Sequence, residues 1–148
     1  MSLRNIANTI LIVEDNPDDF YALKRVFERA ELHNPVIHCE TGEEALDYLN
    51  GRGSYADADV ERPALILLDI NLPGMKGMDV LQAIRAEPTL KSVPVIMLTS
   101  SRDDRDVLAS FQGRADAYLV KPAEFTDFLM ALQQLKHHGI QIVLAPVH

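Results

Sequence analysis

Residues 65–81 read LILLDINLPGMKGMDVL. Leu65, Ile66, Leu67 and Leu68 form a short apolar run that ends at an acid, Asp69. Runs of this length, apolar at every position, fit a strand buried on both faces. After Asp69 the period changes, and Val80, Leu81 and Ile84 recur at helical spacing. A buried strand, an acid at its carboxyl end and then a helix is one repeat of a parallel strand–helix arrangement.

The same unit recurs on both sides of this stretch. Further apolar runs lie at residues 9–13, 35–38, 95–98 and 117–120, and the run in the quoted stretch begins at residue 64. Between them, helical spacing joins Phe20, Leu23, Val26 and Phe27, then Ala45, Leu46 and Leu49, then Val107, Leu108 and Phe111. A last helix carries Phe125, Phe128, Leu129, Leu132 and Leu135. Asn16 suits a cap of the first helix and Pro17 its first turn. Five strands alternating with five helices predict an α/β fold, a flavodoxin-like doubly wound five-stranded parallel sheet with five helices. Right-handed crossovers connect such strands. Two segments stand outside the alternation: a long polar loop at 51–63, and a tail that resumes with a new apolar run after His138.

Whole-chain properties narrow the class. The 148 residues suit one domain with its own core, and 47% hydrophobic residues fit a globular chain. A net charge of −8 disfavours nonspecific contact with nucleic acid or anionic membrane. One cysteine, Cys39, cannot make an internal disulfide, which points to a reducing cytoplasm. No apolar run reaches the roughly 20 residues that span a bilayer, and the first nine residues lack a signal-peptide apolar region.

Chemistry gathers at the strand ends. The first run ends in Val13-Glu14-Asp15, the third in Leu68-Asp69, the fourth in Leu98-Thr99-Ser100 and the fifth in Val120-Lys121-Pro122. In a doubly wound sheet these ends lie on one edge, where ligands bind. Three carboxylates, from Glu14, Asp15 and Asp69, cannot all stay ionised together without a counter-charge. A hard divalent cation is the natural partner, Mg2+ first and Mn2+ as the alternative. Lys121 adds a cation and Thr99 a hydroxyl donor. Metal, cation and donor together can hold a phosphoryl group, with one carboxylate as nucleophile. Each residue alone has an ordinary explanation: Asp15 and Thr99 as caps, Lys121 as an exposed lysine. The joint pattern carries the argument.

These motifs resemble the receiver domain of bacterial two-component response regulators, the chemotaxis-regulator-like fold. ILIVEDNPDD resembles the first strand with its acidic pair, and LILLDINLPGMKGMDVL the phosphoacceptor segment, with Pro73 and Gly77 at their usual offsets. VPVIMLTSS resembles the switch-hydroxyl strand, and DAYLVKPA the strand with the signalling aromatic and the lysine–proline pair. The resemblance covers about residues 9–136. It implies a single receiver domain over 1–148, with residues 139–148 as a C-terminal tail. By the same resemblance Asp69 accepts a phosphoryl group from a sensor histidine kinase, and Glu14, Asp15, Asp69 and the Asn71 backbone carbonyl hold the metal. Thr99 and Lys121 would take phosphoryl oxygens, and Tyr118 would switch from exposed to buried as Thr99 moves. The Lys121–Pro122 bond is expected to be cis. The signalling surface would be the fourth helix, fifth strand and fifth helix. Ala123 departs from the family, which often has an aromatic residue there. The 51–63 loop and the tail resemble single-domain regulators that partner bacterial phytochrome kinases.

Other readings fare worse. A flavodoxin-like cofactor binder would need a Ser/Thr/Gly-rich phosphate loop after the first strand, where this chain has Glu-Asp-Asn-Pro-Asp-Asp. An aspartate phosphatase would want a second aspartate where Asn71 stands. A receiver acting only as a scaffold would lack polar residues that are all present here. The expectation is a cytoplasmic signalling protein, not a turnover enzyme beyond its own phosphotransfer and autodephosphorylation. After His138 there is no room for a DNA-binding helix-turn-helix, so its output would pass to an unknown downstream protein. The strip Ile140, Ile142, Val143 and Leu144 is expected to pack on a second copy, giving a homodimer through the last helix and tail, or on its own last helix. His33, His38 and His148 stand isolated, His137 and His138 suit a helix C-terminus, and Cys39 suits the core. The 102–106 charge run suits a solvated helix face.

Overall fold

The computed structural model describes residues 9–56, 62–100 and 103–137. Five strands, β1 (Ile10–Val13), β2 (Val36–Cys39), β3 (Leu65–Asp69), β4 (Val95–Thr99) and β5 (Ala117–Val120), form one sheet in the order β2-β1-β3-β4-β5. Every pairing is parallel. Five helices alternate with the strands: α1 (Pro17–Arg29), α2 (Gly42–Asn50), α3 (Gly77–Ala86), α4 (Asp104–Gln112) and α5 (Phe125–His137). The doubly wound flavodoxin-like arrangement is therefore observed. Its strand order reverses between β1 and β3, which sets the switch point beside Val13 and Leu68.

The apolar strands explain the layers. Side chains alternate across a strand, so a strand apolar at every position feeds two cores. Ile10, Ile12, Leu65, Leu67, Ile96 and Leu98 pack with Leu23, Val26 and Phe27 of α1 and Phe128 and Leu135 of α5. Leu11, Val13, Ile66, Leu68, Val95 and Met97 pack with Ala45 and Tyr48 of α2 and Val80, Leu81 and Ile84 of α3. Capping follows the sequence: the Asn16 side chain accepts from the backbone N–H groups of Asp18 and Asp19 at 2.9 and 3.1 Å. Gly51 closes α2 in the left-handed conformation at φ 62°, which glycine adopts without a Cβ penalty.

Three details differ from the sequence pattern. Strands β2, β3 and β4 each run one residue further than their apolar stretch, so Cys39, Asp69 and Thr99 are strand residues. Backbone pairing sets that limit: Ile70 N–H still donates to the Leu98 carbonyl at 2.9 Å. In α4 the apolar spacing does not mark a buried face. Ser110 is its buried residue, its hydroxyl bonded to the Asp106 carbonyl, while Leu108 and Phe111 are 57% and 41% exposed. The long loop is partly ordered by a one-turn 3-10 helix (Gly53–Tyr55), with Tyr55 edge-on to Tyr48 and its hydroxyl donating to Glu44. Residues 57–61, His138 and the tail strip lie outside the described residues. No helix of the described residues is long and apolar enough to cross a membrane.

Gly77 fixes where α3 begins relative to β3. A Cβ at this position would clash with the Asp69 carbonyl oxygen, a backbone atom that cannot step aside. Gly77→Ala is expected to cost at least about 1–3 kcal/mol by overpacking, read as a lower urea midpoint with an unchanged m-value.

Candidate functional site

The site is built where the four polar strand ends meet. Asp69 closes β3 and Thr99 closes β4, both buried to 1% exposure. Glu14 follows β1 and is fully buried, and Asp15 beside it is exposed. Glu14, Asp15 and Asp69 each offer a carboxylate oxygen, and these three atoms lie within 4.8 Å of one another. Lys121, the residue after β5, reaches across the edge, its ammonium 2.9 Å from Asp69 Oδ2 and 3.0 Å from Glu14 Oε1. The Lys121–Pro122 peptide is cis.

Backbone groups hold these side chains. Asn71 N–H donates to Asp69 Oδ1 at 2.9 Å and Asn16 N–H to Glu14 Oε2 at 3.1 Å. Lys121 N–H donates to the Thr99 carbonyl at 2.7 Å, which locks the ends of β4 and β5 together. Tyr118 on β5 is half-buried and meets Phe111 of α4 edge-on, ring centres 5.9 Å apart. Ala123 packs against the α1/α5 core.

Two residues join the site without being foreseen. Asp19, in the first turns of α1, places Oδ2 3.0 Å from the Lys121 ammonium. His38, isolated by sequence, stacks on Phe20 with ring centres 3.8 Å apart, and its Nε2 lies 2.7 Å from the Glu14 carbonyl oxygen. The Asp15-Asn16-Pro17 turn offered a signal for Asp19, since a capped helix start returns its early acids toward the strand end. Nothing local marked His38. Cys39 behaves as expected of a core residue: it is buried, and burial pushes its thiol up to about 12.

The electrostatics state the need for a cation. Burial, and then the hydrogen bond and charge of Asp69, raise Glu14 from 4.5 to about 7. Burial pulls the Lys121 ammonium down, but its bonds to Asp69, Asp19 and Glu14 outweigh that and hold it above its ordinary value. One ammonium does not neutralise this many carboxylates. An all-oxygen donor set with one exposed member suits a hard divalent ion that keeps open positions.

An acid cluster and a single lysine at the switch point of a 2-1-3-4-5 parallel sheet define a class, the phosphoacceptor signalling domain. Comparison with known proteins gives the family. The model of the response regulator receiver domain matches residues 10–133. Response regulator Rcp1 of Synechocystis sp. is 33% identical over 142 residues, 96% of this chain and 95% of Rcp1. The Mn2+-bound crystal structure of Rcp1 aligns with a TM-score of 0.73 at 33% identity, covering 95% of this chain and 99% of that one. The bacteriophytochrome response regulator AtBRR aligns at 0.84 with 40% identity, covering 96% and 99%. The phosphorylated cyanobacterial phytochrome response regulator RcpA aligns at 0.75 with 32% identity, covering 95% and 100%. The chain belongs to the response regulator receiver domain family. It is a response regulator of two-component signalling, a group phosphorylated on aspartate with histidine kinases as partners.

Glu14 sets a pH dependence. Its folded value lies above 4.5, so without metal the native state holds a proton that the unfolded chain gives up. Stability from this group is complete below about pH 4.5 and is lost as pH rises through about 7. A cation needs the ionised form, so Mg2+ should raise the melting temperature more at about pH 8 than at about pH 5.5. Thermal melts with and without Mg2+ at the two pH values check this.

Proposed function

We propose that Asp69 is the phosphoacceptor and that Glu14, Asp15, Asp69 and the Asn71 carbonyl hold Mg2+, with Mn2+ able to replace it. The observation that carries this reading is the buried Asp69 carboxylate bonded to Lys121 at 2.9 Å, with the other two acids gathered around it. When bound, the cation screens the carboxylates and stabilises charge on the transferring phosphoryl oxygens. An Asp69 oxygen attacks the phosphorus of a phosphohistidine on the kinase. The O–P bond forms as the P–N bond breaks, and the histidine nitrogen keeps the electron pair and takes a proton. Lys121 balances charge on a phosphoryl oxygen, and the Thr99 hydroxyl donates to another. Hydrolysis later returns Asp69 to a carboxylate, so the chain limits its own signal and is not a turnover enzyme.

We infer an output route through the surface beside Tyr118. Thr99 moving toward the phosphoryl group would free space for Tyr118 to turn inward, changing the surface of α4, β5 and α5. Phe111 and Leu108, exposed on α4, and Met130, 60% exposed on α5, give that surface apolar contacts for a downstream protein. We infer a single receiver domain that works in the cytoplasm without direct contact with nucleic acid or membrane. A bacteriophytochrome is the proposed kinase, supported by the likeness to AtBRR and RcpA. The exposed Leu129 and Met130 also support a homodimer through α5 and residues 139–148.

Transfer from an autophosphorylated bacteriophytochrome kinase should label the wild-type chain, and Asp69→Asn should stay at background. EDTA should abolish transfer and Mg2+ restore it. Lys121→Ala should lower the transfer rate about a hundredfold or more. Equal labelling of the wild type and Asp69→Asn would overturn the acceptor assignment.

A further inference from the structure

Lys121 has three carboxylate partners, and two of them, Asp69 and Glu14, stand at strand ends. The third, Asp19, comes from α1, with Oδ2 3.0 Å from the ammonium and a side chain 26% exposed. Asp19 is not in the set of acids that gathers within 4.8 Å, so it is bound to the lysine rather than to the cation site. An acid in the first turn of a helix also has a plain structural use, since it complements the helix dipole. That use does not require contact with Lys121.

The contact has a consequence for the phosphorylated state. A phosphoryl group on Asp69 brings about two negative charges and needs the Lys121 ammonium. Asp19 competes for the same single charge and adds a like charge at the mouth of the site. Both effects raise the energy of the acyl phosphate, and both are relieved when phosphate leaves. We propose that Asp19 is a positioning residue for Lys121 that shortens the lifetime of phosphorylated Asp69. The step affected is hydrolysis: a water oxygen bonds to phosphorus, and the Asp69 O–P bond breaks. Its electron pair returns to the Asp69 carboxylate, and the water proton goes to the released phosphate. This inference rests on the assignment of Asp69 as acceptor.

The test uses the full chain phosphorylated by acetyl phosphate with Mg2+, freed of excess donor, and followed as the phosphoryl group decays. Asp19→Asn and Asp19→Ala should decay about two- to fivefold more slowly than wild type, the size of one partly exposed ion pair. Asp19→Glu, which keeps the charge, should restore the wild-type rate. Fluoroberyllate, a phosphoryl mimic that does not hydrolyse, should bind Asp19→Asn more tightly by a similar factor. A merely structural Asp19 would change the urea midpoint and leave that affinity unaltered. Decay of Asp19→Asn at or above the wild-type rate, or unchanged fluoroberyllate affinity, overturns the proposal. Failure of the wild type itself to take label defeats the Asp69 assignment instead, and the inference falls with it.

Discussion

Two buried carboxylates stand side by side at the edge of this sheet, and the site is organised around that fact. Glu14 and Asp69 are removed from water in a place where neither has a cation to itself. Burying charge is costly unless it is paired and hydrogen-bonded. The protein meets part of the need with one ammonium and with backbone N–H groups from Asn16 and Asn71. The rest appears as a raised Glu14, a group that holds its proton near neutrality. A divalent cation can take the place of that proton. Thus the burial that makes the site costly also favours a bound cation.

The fold supplies this arrangement by a few constraints on the backbone. Strands apolar at every position must be covered on both faces, which forces parallel strands with helices on each side. That topology brings residues from β1, β3, β4 and β5 to one edge. Gly77 lets α3 start against the Asp69 carbonyl, and the Lys121–Thr99 backbone bond holds the lysine strand against the hydroxyl strand. At the opposite end Arg85 is an internal tie. Its guanidinium donates to the carbonyls of Lys91, Val93 and Arg114 and pairs with Asp116, fastening α3 to the start of β4 and β5.

Much of this was legible in the sequence, because hydrophobic runs mark strands and the residues that end them mark the edge. Glu14, Asp69, Thr99 and Lys121 were all visible in that way; their chemistry implied a metal, a cation and a hydroxyl donor around one nucleophilic carboxylate, and the family resemblance said which carboxylate. Strand limits were less visible: Asp69 and Thr99 are polar, so pattern alone stops one residue early, whereas hydrogen bonding carries the strand on. The apolar residues of α4 marked the helix correctly but not its exposure. Helical spacing records amphipathicity and cannot say whether the apolar face meets the core or a partner. His38 reaches the site through a tertiary contact with the Glu14 carbonyl that no local spacing encodes, whereas for Asp19 the capped start of α1 was visible and only its contact with Lys121 was not.

The central claim is that phosphoryl chemistry occurs on Asp69. Borohydride reduces an acyl phosphate to an alcohol, so a phosphorylated aspartate becomes homoserine, which peptide mass spectrometry locates. After phosphorylation with Mg2+ and reduction, the account predicts homoserine at position 69 and intact carboxyls at Glu14, Asp15 and Asp19. Homoserine at position 15 or 19 with an unmodified Asp69 would contradict it.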